Sequence, residues 1–246
     1  MARFFLPQAN IQKGRGVVDG QELTHLMKVL RLSAGDFVTV FDNTGWEYEA
    51  VIETLTSERA ELKIVESHAT DREPSVPITL AMGLTKGEKL DWIIEKATEL
   101  GVTTIIPLSS TYTVPKLDSD KIHKRSERWR KIAVSAAKQC GRSRIPEVRP
   151  LCSFESFVRQ CGPETLKLIF WENETEQSVR ELFQKCGEIK SVLLAIGPEG
   201  GFSTREVELA NAQGFYSVHL GRRILRAETA ALAALTVVQF LWGDLH

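Results

Sequence analysis

The sequence is short of cysteine, of long apolar runs and of net charge, and each shortage removes a class of protein. Four cysteines occur in 246 residues, Cys140, Cys152, Cys161 and Cys186, and no two form a C-x-x-C pair. That spacing argues against a zinc site, so no metal is expected. It suits reduced thiols and a cytoplasmic location instead. No apolar run reaches the ~18 residues of a membrane span, and the start, "MARFFLPQAN", lacks the apolar segment of a secretion signal. A membrane partner is not expected. The formal net charge is −1, which leaves a polyanionic partner open, because local charge distribution decides that question. Neither G-x-G-x-x-G nor G-x-x-x-x-G-K-[ST] is present, which weakens the case for a dinucleotide-dependent oxidoreductase.

What is there divides into two halves of different period. Hydrophobic content of 43% and charged content of 26% are ordinary for a globular chain. From Phe4 to about Ser67, short runs such as "DFVTVFD", "WEYEAVIETL" and "AELKIVES" read as strands. Asp42-Asn43-Thr44-Gly45 separates the first two as a hairpin turn would, and "ELTHLMKVL" reads as one helix. The polar "SHATDREPSVP" is a linker. Beyond it, "ITLAMGL", "VTTIIPLSS", "LKLIFW", "SVLLAI" and "FYSVHLG" are strand runs. They alternate with helices at "KLDWIIEKATEL", Ser119 to Cys140, "SVRELFQKC", the segment after Phe202, and "ETAALAALTVVQFLW". Such alternation predicts an α/β domain with a mostly parallel sheet. The expected domains are residues 1–72, a small β-barrel or sheet, and 73–246.

Two turns in the second half carry chemistry. "IGPEGGFSTRE" follows a buried strand, where open α/β sheets bind ligands. Gly197, Gly200 and Gly201 permit positive φ and close approach of a ligand. Ser203 and Glu206 form a capping box, with Phe202 and Val207 placed as a hydrophobic staple. Glu199 disfavours a phosphate here and favours a cationic or neutral ligand. A plain strand-to-helix connection remains the alternative. The second turn, "GRRILRAETAALAAL" from Gly221, sets Ile224 and Leu225 among three arginines. Apolar loop residues face a core or a ligand, and Glu228 suits a helix start.

"IGPEGGFS" followed by "LGRRILRAETA" resembles the RsmE family of SPOUT-class methyltransferases, which methylate N3 of a uridine in 16S ribosomal RNA. "RFFLP", "HLMKVLR", "KGEKLDWIIEKATELGV" and "ERWRKIAVSAAKQCGRSRIPEV" extend the resemblance over the whole chain. Arg222 stands where proline is usual in that family, and Ala227 where threonine is usual. The resemblance implies a PUA-like N-terminal β-barrel that binds RNA and a C-terminal α/β domain with a deep trefoil knot. It implies S-adenosyl-L-methionine as cofactor, uridine 1498 of the small ribosomal subunit as target, and a homodimer. The backbone of Ile196, Gly197, Gly201, Leu220 and Leu225 would then hold adenine and ribose, with Gly221, Ile224 and Ala230 completing the pocket.

Uracil N3 must lose a weakly acidic proton to attack a methyl group, so the site needs a base or a cation that stabilises the uracil anion. Arg226 is the candidate cation, since its planar fork suits a uracil edge. Glu228 and Glu199 are candidates to orient it or to take the proton; alternatively, Glu228 stabilises a helix start and Glu199 bonds backbone. From Lys121 to Arg149 ten Lys or Arg stand against two Glu, which suits either a solvated helix face or a phosphate-tracking patch. Arg128, Arg142 and Arg144 are its candidate RNA contacts, joined by Lys86 and Lys89. His25, Lys28 and Arg31 form a second candidate area, though His25 equally suits a structural role. A non-catalytic RNA-binding factor of the same fold is the competing function.

Overall fold

The computed structural model describes residues 1–70, 72–114, 118–162 and 165–245. Two compact units result: Met1–Glu73 with Ala137–Ile145, and Pro74–Ala136 with Pro146–His246. The main break falls between Glu73 and Pro74, and Ala137–Ile145 joins the first unit. Glu73, at the end of the supposed linker, explains why. Its carboxylate accepts from the buried Arg142 guanidinium at 2.7 Å and from the backbone N–H groups of Ser143 and Arg144 at 3.1 and 2.9 Å.

The first unit is a six-stranded sheet. Its strands are β1 (Ala2–Phe5), β2 (Ile11–Gln12), β3 (Arg15–Val18), β4 (Phe37–Phe41), β5 (Trp46–Leu55) and β6 (Ala60–Ala69), in the order β1-β4-β5-β6-β3-β2. Only β1–β4 is parallel. Alternating residues such as Val38, Val40, Ala50, Ile52, Ala60 and Leu62 build its core with Phe4 and Leu6. In the β4–β5 turn, Asp42 accepts from the Thr44 N–H and hydroxyl at 2.9 and 2.7 Å, and from the Tyr48 hydroxyl at 2.9 Å. Burial first, then the hydrogen bond and charge of Asp42, push the Tyr48 hydroxyl up to about 12. The expected single helix is instead α1 (Gly20–Thr24) followed by a π-helical turn, His25–Val29. Leu23 and Leu26 are in the core, while Met27, Lys28, Val29 and Leu30 face out.

The second unit is a parallel sheet covered by helices. Its elements are β7 (Ile78–Gly83), α2 (Lys89–Glu99), β8 (Thr104–Ser109), α3 (Ser119–Cys140, its last residues in the first unit), β9 (Glu147–Val148), β10 (Cys152–Ser153), α4 (Phe154–Gln160), β11 (Leu166–Phe170), α5 (Val179–Lys185), β12 (Val192–Ile196), α6 (Thr204–Ala212), β13 (Tyr216–Val218) and α7 (Ala227–Trp242). Strand order is β10-β8-β7-β12-β11-β13, with β9 beside β8. β11 and β12 are buried at every position, as expected of parallel strands covered on both faces. One core cluster packs Phe154, Phe157 and Val158 of α4 against Ile169, Leu193, Ala195, Phe202 and Phe215. Lys167 is buried in β11, where its ammonium donates to the Gln213 carbonyl at 3.0 Å.

β7 and β12 pair in register, Met82 opposite Ile196, and then approach closely. A Cβ on Gly83 would stand 2.5 Å from Pro198 Cδ and 2.9 Å from the Gly197 carbonyl carbon. Backbone cannot move aside cheaply, so Gly83→Ala should destabilise the second unit by about 1–3 kcal/mol. Denaturant titration checks this against Gly187→Ala, where a Cβ meets nothing within 4 Å. Equal midpoints for the two variants would show that the close approach is dispensable.

Candidate active site

Because β7, β12, β11 and β13 are parallel, the turns after them emerge at one edge of the sheet. Phe170 lies level with Ile196 on one side and Val218 on the other. The turn after β12 folds back on itself: the Gly201 N–H donates to the Pro198 carbonyl at 2.9 Å, and Gly201 has φ +69. A Cβ on Gly197 would stand 2.9 Å from Gly201 Cα, and one on Gly200 would stand 2.8 Å from Tyr112 Cβ. These two glycines therefore make room for protein, where the sequence suggested room for a ligand. The capping box at α6 forms: the Glu206 carboxylate accepts from the Ser203 N–H and hydroxyl at 2.9 and 2.8 Å. Its other oxygen takes the Thr111 N–H at 2.8 Å, and Phe202 and Val207 are buried beside it.

The second turn starts at Gly221, φ +109, whose N–H donates to His219 Nδ1 at 3.0 Å. It ends at Arg226, the N-cap of α7, whose carbonyl accepts from the Ala230 N–H at 2.8 Å. The small Ala227 and Ala231 are buried against the unit. Ile224 is 84% exposed and does not enter the core. Between the two turns lies a cavity of about 400 Å³, within the ~300–1,000 Å³ of small-molecule sites. Its wall contains Ile196, Gly197, Gly201, Leu220, Gly221, Ile224, Leu225 and Ala230, all eight residues expected to hold a cofactor.

The candidate catalytic residues are arranged differently from expectation. Arg226 and Glu199 line the cavity, and Glu228 stands behind its wall. Neither carboxylate is paired with Arg226, whose side chain is exposed and without a hydrogen bond or ion pair among the described residues. Both pair with Lys89, at 3.2 Å for Glu199 and 3.4 Å for Glu228. Glu199 also accepts the Lys86 backbone N–H at 3.1 Å, so the backbone-bonding alternative describes part of its role. The hydrogen bond to Glu199 is the main cause that raises the Lys89 ammonium above its ordinary pKa. Burial works to raise the Glu199 carboxyl, but backbone hydrogen bonds and Lys89 outweigh it and hold the group below the ordinary value. The buried Glu228 Oε2 sits at ion-pair distance from Lys89 without hydrogen-bond geometry.

The expected RNA contacts separate by what already holds them. Arg142 is 4% exposed and bound by Glu73, so it ties the first unit together and presents no face to a phosphate. Arg144 donates to the Thr44 carbonyl at 2.6 Å, and Arg128 pairs with Asp91 and Glu88 at 2.6 and 2.7 Å. Lys86 is exposed. In the first unit Lys28 and Arg31 are exposed, and His25 packs edge-on to Phe4 at 6.2 Å. Sequence reasoning missed Phe170, Trp171, Glu172, Val218, His219 and Arg223, which also line the cavity. The strand ends at Phe170 and Val218 were legible, but not that β11 lies between β12 and β13.

Known proteins give this geometry a family. Residues 72–239 match the model of the RNA methyltransferase domain, and residues 18–65 that of the RNA methyltransferase PUA domain. Ribosomal RNA small subunit methyltransferase E of Bacillus subtilis is 33% identical over 227 residues, 91% of this chain and 89% of that protein. The Synechocystis protein of the same name is 37% identical, over 89% of this chain and 71% of its own. Among solved structures, a Legionella pneumophila methyltransferase with bound SAM aligns with a TM-score of 0.91 and 35% identity, covering 99% of both chains. Ribosomal RNA small subunit methyltransferase E of Neisseria gonorrhoeae, bound to S-adenosyl methionine, aligns at 0.89 and 34%, covering 100% of both. With both of its domain models and these near full-length relatives in agreement, the chain belongs to the ribosomal RNA small subunit methyltransferase E family of RNA methyltransferases.

Proposed function

We propose that this protein uses S-adenosyl-L-methionine to methylate N3 of a uridine in 16S ribosomal RNA, the position numbered 1498 in the family it belongs to. The observation that carries this reading is the cavity at the strand ends, where the eight expected cofactor residues meet Arg226 on one wall. Its fit to the cofactor is chemical as well as spatial. Ile196, Leu220, Ile224 and Leu225 offer an apolar slot beside exposed backbone. Glu172, Glu199 and Glu228 stand among Lys89, Arg222, Arg223 and Arg226 here, so the site offers polar groups of both signs around the apolar slot.

When bound, S-adenosylmethionine supplies a methyl group on a positively charged sulfur, and its transfer leaves a neutral thioether. The chain's task is to hold the uracil edge in line and to favour its deprotonated form. Arg226 is free to do this: it stands at the N-cap of α7, and its side chain has no hydrogen bond or ion pair among the described residues. Its guanidinium can donate to a uracil carbonyl oxygen, where charge develops as the N3 proton leaves. Glu199 is committed to Lys89 and to the Lys86 N–H, so it acts as a support. Glu228 stands behind the cavity wall with its buried Oε2 paired to Lys89, so it too acts as a support.

Residues 1–72 act as the RNA-binding domain and 73–246 as the methyltransferase domain, knotted where the two turns cross. The tight fit of Gly83 on Pro198 is the kind of close crossing such a knot needs. The protein acts as a cytoplasmic homodimer on the small ribosomal subunit. An exposed Phe240 on the largely apolar α7 supports self-association. On α3, Lys124, Arg130 and Lys131 are exposed and without partners among the described residues, and these are the cations available to phosphates.

Labelled S-adenosylmethionine incubated with small-subunit particles lacking the modification should place label on N3 of a single uridine. No incorporation into particles or naked RNA would sink the reading. Arg226→Ala should lower the methyl-transfer rate roughly 10²–10³-fold, as loss of a transition-state donor does, with RNA and cofactor affinity unchanged; full activity would remove Arg226 from the mechanism. Lys89→Met separates two roles for that residue. If Lys89 holds the glutamates, cofactor affinity falls while the slope of RNA affinity against salt stays fixed. A phosphate contact would instead reduce that slope by about one.

A further inference from the structure

β11 lies between β12 and β13, so the first residues beyond it stand between the two turns that wall the cavity. Trp171 is pinned there. Its backbone N–H donates to the Val218 carbonyl at 3.2 Å and its indole N–H to the Phe202 carbonyl at 3.2 Å. Its own carbonyl accepts from the Glu174 N–H at 3.2 Å. The next side chain, Glu172, lines the cavity. Its carboxylate lies over the bare Cα of Gly201: a Cβ built there would stand 2.6 Å from Oε2 and 2.8 Å from Cδ. No hydrogen bond or ion pair engages this carboxylate among the described residues. The two other carboxylates of the region are already held by Lys89.

We propose that Glu172 recognises the nucleoside part of the cofactor by accepting hydrogen bonds from the two adjacent hydroxyls of its ribose. The inference rests on the S-adenosylmethionine reading above. An ionised carboxylate is acceptor-only, with two oxygens side by side, and a vicinal diol presents two donors at matching spacing. Such charge-assisted bonds are about twice as strong as neutral ones. The neighbouring wall supplies apolar contacts from Ile196 and Leu220 and the backbone of Gly201, which suit a base but leave hydroxyls unserved. Parallel α/β sheets meet the same need in dinucleotide enzymes with an acidic residue on the ribose. Gly201 has a second reason to lack a side chain here, since any Cβ would displace the carboxylate.

Titration calorimetry with S-adenosylhomocysteine and with 5′-methylthioadenosine tests this on the full chain. The second compound keeps the ribose and lacks the amino-acid end. Glu172→Gln should weaken both by the same factor, roughly ten- to hundredfold, and Glu172→Ala should do likewise. A homocysteine analogue with the ribose hydroxyls removed should bind wild type and Glu172→Gln equally. A loss confined to S-adenosylhomocysteine would assign Glu172 to the ligand's ammonium and overturn the proposal, as would unchanged affinity for both compounds. Glu172 is exposed, so unfolding midpoints of the variants should match wild type. If wild type binds neither compound, the cofactor reading itself fails, which is a distinct result.

Discussion

The site depends on how closely two adjacent parallel strands come together at their ends. β7 ends in Gly83, where Pro198 and the Gly197 carbonyl occupy the space a side chain would need. Gly197 in turn lacks a side chain because Gly201 folds back against it. Two absent side chains, at Gly83 and Gly197, thus lock one turn against the end of the neighbouring strand. The lock fixes Glu199, whose carboxylate then meets the Lys86 N–H and the Lys89 ammonium just beyond β7. A looser crossing would leave a flexible glycine loop with no defined wall for a ligand to meet.

Charge reinforces this backbone arrangement. Lys89 is the first residue of α2, where a cation runs against the helix dipole. Glu228 lies in the first turn of α7, where an anion runs with it. Placing the unfavourable cation between Glu199 and Glu228 offsets the mismatch and ties α2, the β12 turn and α7 to one point. Although burial works the other way, backbone hydrogen bonds and Lys89 hold the Glu199 carboxyl below its ordinary pKa beside the cavity. Local electrostatics therefore hold the walls of the cavity together.

Much of the fold was legible because its signals are local. The buried runs of β7, β11 and β12, the full extent of α3 and the Ser203–Glu206 capping box all follow from nearby residues. So do both turns of the site. The elements missed are short: β9 and β10 have two residues each, and α4 has seven. A two-residue strand has no period to detect. The π-helical turn at His25–Val29 was hidden for another reason, since it differs from an α-helix by one residue per hydrogen-bonded turn and leaves the apolar pattern of the segment helical.

What could not be read is which distant residue meets which. Arg142 counts as one more cation in a basic stretch until Glu73, 69 positions away, is seen to hold it. Arg128 belongs to Glu88 and Asp91 in the same way. Each long-range partner removes a cation from the solvent-facing charge, so a basic run overstates the surface available to a phosphate. Glu172 shows the converse. In the sequence it is one of many charged residues, and only the order β12-β11-β13 sets it between the two turns. Function in this sheet is thus written at strand ends, and strand order decides which ends become neighbours.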